Sequence, residues 1–378
     1  MRYLLICLIS ISIVQNGSYA MESTPIHGVV AAESGQFLGW PANCGIWSWD
    51  NGREVLVGFV SGPWTSRQGH NIGKPYRNRL ARTRDGGKTW VVESPQGYYQ
   101  PGDTWKPMPP SGIDWSHPDT IIRVICDGYH AGGGPASGMV QLSNDRGRSW
   151  LGPLVLPEIT DPQTGKSLAL QLSARTELHR QPDGTIRLLG SAKENRLLAR
   201  ERCFSATWTD SGRRLTDFRW ITPATVSERT IMPASTWDTS GKGLAVVRVR
   251  PEVGGSSRLD AYAISPQTQQ WKSVGTIADT GPNGGNPAAL LTTRAGRIVC
   301  VYGNRSDGSL RLRWRQSWDA DWQPEMILRK DFARDAQGEM DLGYPRMVEN
   351  AAGELVIVYY WADRDHPQGM IAVTRWKP

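Results

Sequence analysis

Near the C-terminal end, Asp341, Tyr344 and Arg346 stand together in the run Asp341-Leu342-Gly343-Tyr344-Pro345-Arg346. A carboxylate there can act as a general acid, or as a base on water. Tyr344 and Arg346 are two residues apart, so on an extended strand they share a face. Arg250 and Arg305 each close an apolar run, and Arg248 shares the face of Arg250. A planar guanidinium suits bidentate recognition of a carboxylate. Glu177, in Arg175-Thr176-Glu177-Leu178-His179, offers a second carboxylate. His70 lies in a polar loop, and an imidazole can give or take a proton near neutrality. The set suits holding an acidic group while a proton moves beside it. Each member also has a plain structural reading: a Tyr packed at a strand start, strand-end arginines, a surface Glu, a polar loop His.

The elements that must position these residues read as strands. Segments 54–60, 120–125, 185–189, 243–249, 296–302 and 354–360 are apolar and rich in β-branched residues. Most follow a turn such as Asp50-Asn51-Gly52, Asp183-Gly184 or Ala352-Gly353, a pattern that marks hairpins. No helical period runs past a few turns. The stretch Thr83-Arg84-Asp85-Gly86-Gly87-Lys88-Thr89-Trp90 returns as Ser143-Asn144-Asp145-Arg146-Gly147-Arg148-Ser149-Trp150. Its Asp can accept hydrogen bonds from turn amides, its Gly can take φ > 0, and its Trp can pack under the turn. Weaker copies lie at 208–215, 265–271 and 317–322. The turns end at 90, 150, 215, 271 and 322, 51 to 65 residues apart, and a four-stranded propeller blade needs roughly 40–50 residues. The chain therefore reads as all-β: a six-bladed β-propeller of four-stranded antiparallel blades. Blades are expected near 41–93, 113–156, 170–222, 228–275, 283–329 and 341–378. A strand near 26–38 should join the last blade and close the ring, removing a free edge.

The chain has 378 residues. Residues 1–20 read as a signal peptide: Arg2, an apolar run from Tyr3 to Val14, then small residues at Ser18 and Ala20. That run is too short to span a bilayer as a mature helix. The expectation is a secreted or periplasmic protein, 21–378 being one propeller domain, without stable membrane insertion and monomeric. Cys44, Cys126, Cys203 and Cys300 lie far apart with no C-x-x-C pair. They read as buried thiols; no zinc pattern, metal or cofactor is expected. The net charge of +7 comes from arginines spread along the chain. A nucleic-acid binder concentrates such charge in a stripe or arm, so an acidic glycan is the better match, beside plain solubility charge. Of the 17 Trp, residues 40, 47, 49, 64, 105 and 115 stand outside the repeated turns. They could serve as plates for sugar faces or as core packing.

These turns, with three further stretches, resemble the sialidase superfamily over nearly the whole chain after residue 20. The final stretch, Asp341 to Val348 followed by Ala352 to Tyr360, looks like the last sialidase blade. Gly285 to Leu290 with Arg297 to Arg305, and Met232 to Ser235 with Val247 to Arg250, look like the two blades before it. The resemblance implies exo-acting release of terminal sialic acid. It also implies Tyr344 as nucleophile, an exception among glycosidases, activated in the family by a Glu, and Arg250 and Arg305 in the clamp on the substrate carboxylate. Two departures stand out. The first-blade stretch Asn43-Cys44-Gly45-Ile46-Trp47-Ser48 lacks the family's clamp Arg. The loop from Gly69 to Arg79 lacks its acid/base Asp and carries His70 instead.

Three function classes follow. The first is a hydrolase releasing sialic acid or a related acidic sugar. The second is a hydrolase or lyase on another acidic polysaccharide containing uronate or rhamnose. The third is a glycan-binding propeller without turnover. Attack by Tyr344 would retain anomeric configuration; water activated by Asp341, Glu177 or His70 would invert it.

Overall fold

The structure is a computed structural model and describes residues 23–66, 70–126, 138–168, 170–194, 200–334 and 340–378. The proposed signal peptide lies outside them. Six antiparallel sheets form the six blades of a β-propeller. Each of the apolar segments read from the sequence forms the second strand of a blade or, in the second blade, the first described one. These strands are nearly continuous in apolar residues because sheets pack on both of their faces. Leu355–Trp361 is buried at every position.

The third blade runs Leu170–Arg180, Ile186–Glu194, Arg202–Thr209, Arg214–Trp220. The fourth runs Glu228–Trp237, Gly243–Pro251, Ser257–Ile264, Lys272–Gly281. The fifth runs Ala288–Thr292, Ile298–Asn304, Ser309–Arg315, Met326–Arg329. The sixth is Gly343–Glu349, Leu355–Trp361 and Met370–Trp376, with Ile26–Ala31 added at its outer edge. Ile26–Ala31 therefore closes the ring, as expected, whereas the second half of the expected 26–38 strand is a separate strand, Gln36–Gly39, that pairs within the first blade.

Two blades depart from the four-stranded plan. In the first, Glu54–Pro63 pairs with Arg77–Thr83 and then Val91–Glu93, but its inner neighbour is in two pieces. Gln36–Gly39 and Ile46–Trp49 are separated by Trp40 at φ 58 and a short helix, Pro41–Cys44. The second blade has three described strands, Ile121–Ile125, Met139–Ser143 and Leu151–Val155.

The repeated turns explain how blades are finished. Asp85 Oδ1 accepts from the amides of Lys88 and Thr89 at 3.0 and 2.9 Å, and Oδ2 accepts from the Thr89 hydroxyl at 2.6 Å. Asp145 repeats this set with Arg148 and Ser149. Trp90 and Trp150 each donate an indole N–H to the carbonyl of the turn glycine, Gly87 and Gly147. Asp210, in a weaker copy, instead begins a 3-10 turn and pairs with Arg213. The core lies between sheets. Ile122, Val140 and Leu142 meet Leu188, Phe204 and Trp208 between the second and third blades. Val299, Val301 and Leu310 meet Leu355, Ile357 and Tyr359 between the fifth and sixth.

Candidate active site

The innermost strands of three blades share a local device. Arg175, Met232 and Tyr344 all have positive φ, at 71°, 57° and 50°. At each the pairing with the second strand skips: between Ser173 and Glu177, Ile231 and Ala234, Gly343 and Arg346. These are β-bulges, which re-aim side chains and are common beside active sites. Positive φ in a non-glycine residue costs of order 1–3 kcal/mol and persists only where packing fixes it.

The bulge separates Tyr344 from Arg346, which simple alternation had put on one face. Tyr344 turns toward the fourth blade, where Arg248 Nη1 donates to its hydroxyl oxygen at 2.9 Å. Among the described residues no carboxylate is hydrogen-bonded to Tyr344. Arg346 turns across the channel. Its Nη1 donates to Glu177 Oε1 at 2.6 Å, Nε and Nη2 to the Ala42 carbonyl at 3.1 and 2.7 Å, and Nη2 to the Thr176 carbonyl at 3.1 Å. Glu177 Oε1 also accepts from Arg175 Nη2 at 2.7 Å. Arg346, Glu177 and Arg175 therefore tie the sixth, first and third blades together. Burial alone would raise the Glu177 carboxyl, but Arg346 and Arg175 hold it below its ordinary range. Burial, with repulsion from Arg346, pushes the Arg175 guanidinium down to about 10, Glu177 opposing the change.

A second cluster forms beside Tyr344. Asp341 is buried, with its Oδ2 at 2.9 Å from His70 Nδ1. Its Oδ1 accepts from Arg305 Nη2 at 3.1 Å and from the Tyr360 hydroxyl. Burial would raise this carboxyl too; His70, Arg305 and Tyr360 outweigh it and keep Asp341 below its usual range. Burial and the Asp341 charge push Tyr360 well above an ordinary phenol, so it stays a donor. The His70 side chain is 38% exposed against 5% for Asp341, so the pair runs from the buried wall to the open mouth. The ring planes of Tyr344 and Tyr360 meet edge to face at 5.7 Å, joining the two clusters. Trp40 packs edge-on against His70 at 5.0 Å.

Close backbone approach makes this possible. A Cβ on Gly343 would sit 2.5 Å from Asn286 Oδ1, and one on Gly284 would sit 2.9 Å from Arg248 Nη2. Arg248 Nε in turn donates to the Gly284 carbonyl at 2.6 Å. Arg250 flanks the same glycine and is half-buried, its guanidinium making no hydrogen bond among the described residues.

The structure thus brings Asp341, His70, Tyr344 and Arg305 together, with Arg250 nearby. It puts Glu177 and Arg346 into a separate cross-channel tie. Arg248, left open in the sequence because it shares a face with Arg250, is the residue that touches Tyr344. Tyr360 was legible only as the end of an apolar strand. Four of the six unassigned Trp pack or lie on protein groups: Trp47 on Trp150, Trp115 on Trp208, Trp49 beneath Arg146, Trp105 beside Tyr99 and Ile125. Trp40 and Trp64 stand near the mouth, Trp64 bordering a cavity of about 20 Å³ next to Asp341 and Tyr360. All four described cysteines are buried free thiols. No group of metal-ligating side chains occurs among the described residues, and none of their helices is long and apolar enough to cross a membrane.

No protein-family profile matches the chain, and no curated protein matches it. Solved structures do. A protein of unknown function from Dyadobacter fermentans is 19% identical with a TM-score of 0.67, covering 93% of this chain and 97% of that one. A Penicillium chrysogenum α-L-arabinanase complexed with arabinobiose is 14% identical, TM-score 0.61, covering 94% and 99%. A Hadza microbial sialidase is 12% identical, TM-score 0.56, covering 90% of this chain and 66% of its own. At such identity the likeness is one of fold. The sialidase-like propeller is therefore shared with arabinan-cleaving enzymes and does not by itself select a sugar.

Proposed function

We propose that the protein is a glycan-cleaving enzyme that removes a terminal acidic sugar, sialic acid or a relative, at the channel mouth beside Asp341. One observation carries this reading. Three guanidinium groups, Arg248, Arg250 and Arg305, gather around Gly284 and Tyr344, and among the described residues the one carboxylate hydrogen-bonded to any of them is Asp341, on Arg305. A neutral arabinan gives no reason for that excess, whereas a sugar carboxylate does. The glycan-cleaving activities named for structural neighbours support the general class.

In this reading Asp341 is a positioning residue. Its oxygens are committed to His70, Arg305 and Tyr360, and its depressed pKa makes it a poor base. It fixes the tautomer and orientation of His70, which protonates the leaving oxygen and later takes a proton from water. Tyr344 attacks the anomeric carbon as the bond to the leaving oxygen breaks, its hydroxyl proton passing to solvent at the mouth; water deprotonated by His70 then displaces the tyrosine oxygen. Arg248 faces the oxygen on which negative charge develops, the preorganised arrangement that stabilises such charge most effectively. Arg250 and Arg305 hold the substrate carboxylate. The apolar N-terminal run supports an exported enzyme.

A second reading is β-elimination on a uronate, favoured by the lack of a carboxylate on Tyr344. It needs a base and a neutralised carboxylate but no glycosyl intermediate. NMR of products from sialylated and uronate-terminated glycans separates the readings. Free sugar appearing first as the retained anomer supports the first, an unsaturated product the second, and unchanged substrates in both series rule out both.

A further inference from the structure

The second blade holds a gap that the mouth chemistry does not use. In the first blade the Asp85 turn follows the third strand, Arg77–Thr83. In the second, the matching Asp145 turn follows Met139–Ser143. By that alignment Ile121–Ile125 is a second strand, and no described strand lies inside it. In front of it lies a cavity of about 110 Å³. Its walls come from three other blades: Asn43 to Trp47 of the first, Thr176 to Leu178 of the third, and Arg346 of the sixth.

Arg123, at the centre of Ile121–Ile125, lines this cavity and is only 5% exposed. Its guanidinium lies 4.9 Å above the Tyr98 ring, and Nη2 donates to Asn78 Oδ1 at 3.3 Å. Nε and Nη1 are buried without an oxygen or nitrogen partner, the Cys44 thiol being their polar neighbour, and Asn43 Oδ1 on the facing wall is likewise unpartnered. No carboxylate pairs with Arg123 among the described residues. Glu177, the acidic residue lining the cavity, spends Oε1 on Arg175 and Arg346. Cys44, also on the wall, is kept neutral because burial raises its thiol. Arg175 and Arg346 share the Glu177 carboxylate, and Arg123 is left without one. Buried charge is normally paired, and donors left without partners in a polar cavity call for a ligand. The room exceeds that of one water, whose share of liquid volume is about 30 Å³.

We propose that this gap is an oxyanion subsite in which Arg123 binds a carboxylate or sulfate group. The source is either an acidic substituent on the glycan or a free inorganic anion. The amide of Asn43 can turn its N–H toward the same group, since its two ends are interchangeable by rotation.

The test is sodium sulfate titration of the whole protein and of Arg123→Met at constant ionic strength, read by calorimetry and by Tm. A saturable heat and a saturating Tm rise of a few degrees in the wild type, lost in Arg123→Met and partly kept in Arg123→Lys, are expected. The general salting effect of sulfate does not saturate and is common to all three. The binding measurement needs no turnover, so its failure is separate from any failure of glycan cleavage. Where turnover is measurable, sulfate raising KM tenfold at fixed kcat assigns the subsite to a substrate group. Sulfate bound with KM unchanged assigns it to a free anion. A wild type that shows neither saturable heat nor a saturating Tm rise overturns the proposal, whether or not Arg123→Met folds.

Discussion

Glu177→Gln is the substitution that most clearly separates architecture from chemistry in this channel. Glu177 Oε1 accepts from Arg346 at 2.6 Å and from Arg175 at 2.7 Å. Both guanidinium groups are nearly buried, their side chains 9% and 1% exposed. Gln keeps the shape and an acceptor but removes the charge between two cations. Breaking a buried pair by neutralising one partner costs about 3–5 kcal/mol. At ~2–4 °C per kcal/mol for a large domain, Tm should fall by at least 6 °C. A Glu177→Leu/Arg346→Met double variant should recover about 1–3 kcal/mol relative to the summed singles. The Glu177 carboxyl is held below its ordinary range, so its contribution is full above an unfolded value of about 4.3 and fades as pH falls through the folded value. The gap between wild type and Glu177→Gln should therefore close in acid. The assay is urea unfolding at pH 7 and pH 3.5, with kcat measured well below Tm. The tie predicts large destabilisation with kcat within threefold. An unchanged Tm with kcat lost a hundredfold would refute it and return Glu177 to the chemistry.

Three further outcomes are expected. Burial lowers His179 to about 4, its Nε2 being held 2.8 Å from Ser235 Oγ. The unfolded chain then binds a proton at about 6.5 that the native chain refuses, so stability should drop by about 2–3 kcal/mol between pH 7 and pH 4.5. His179→Gln should flatten that slope in urea titrations, and an unchanged slope would dismiss His179 as its source. Asp85→Ala removes four hydrogen bonds from one blade turn and should cost about 2 kcal/mol. Asp210→Ala should cost well under half as much, and equal losses would show that the full bond set is not what matters. Burial raises the Cys203 and Cys300 thiols, the latter to about 12. Thiol reagents should therefore label the four described cysteines only on unfolding; rapid labelling of the native protein would contradict this.

The fold was legible because its signals are local. The Asp85 and Asp145 turns carry their own hydrogen-bond partners, and second strands such as 354–360 are apolar throughout because sheets cover both faces. The channel was less legible because bulges set it. Tyr344 and Arg346 obey strand alternation on paper, yet φ of 50° at Tyr344 sends them to different blades. A non-glycine residue with positive φ leaves no mark in sequence. For the same reason Arg248 and Arg250 could not be ranked, since Gly284 lies a blade away in the chain and decides which of them reaches Tyr344. His70 was found as a loop residue, but its tie to Asp341 spans 271 positions, beyond any spacing argument. That no described strand lies inside Ile121–Ile125 in the second blade was hidden by a turn that matched its repeat.

In the proposed reaction the Tyr344–Arg248 and His70–Asp341 pairs cleave a bond to an acidic sugar. Its most direct test is NMR of the anomeric region during the first minutes of incubation with an acid-terminated glycan, comparing wild type with Tyr344→Phe and Asp341→Asn. The wild type should release the retained anomer first, with release slowed about 10²–10⁴-fold in both variants. Undiminished release by both variants would contradict it.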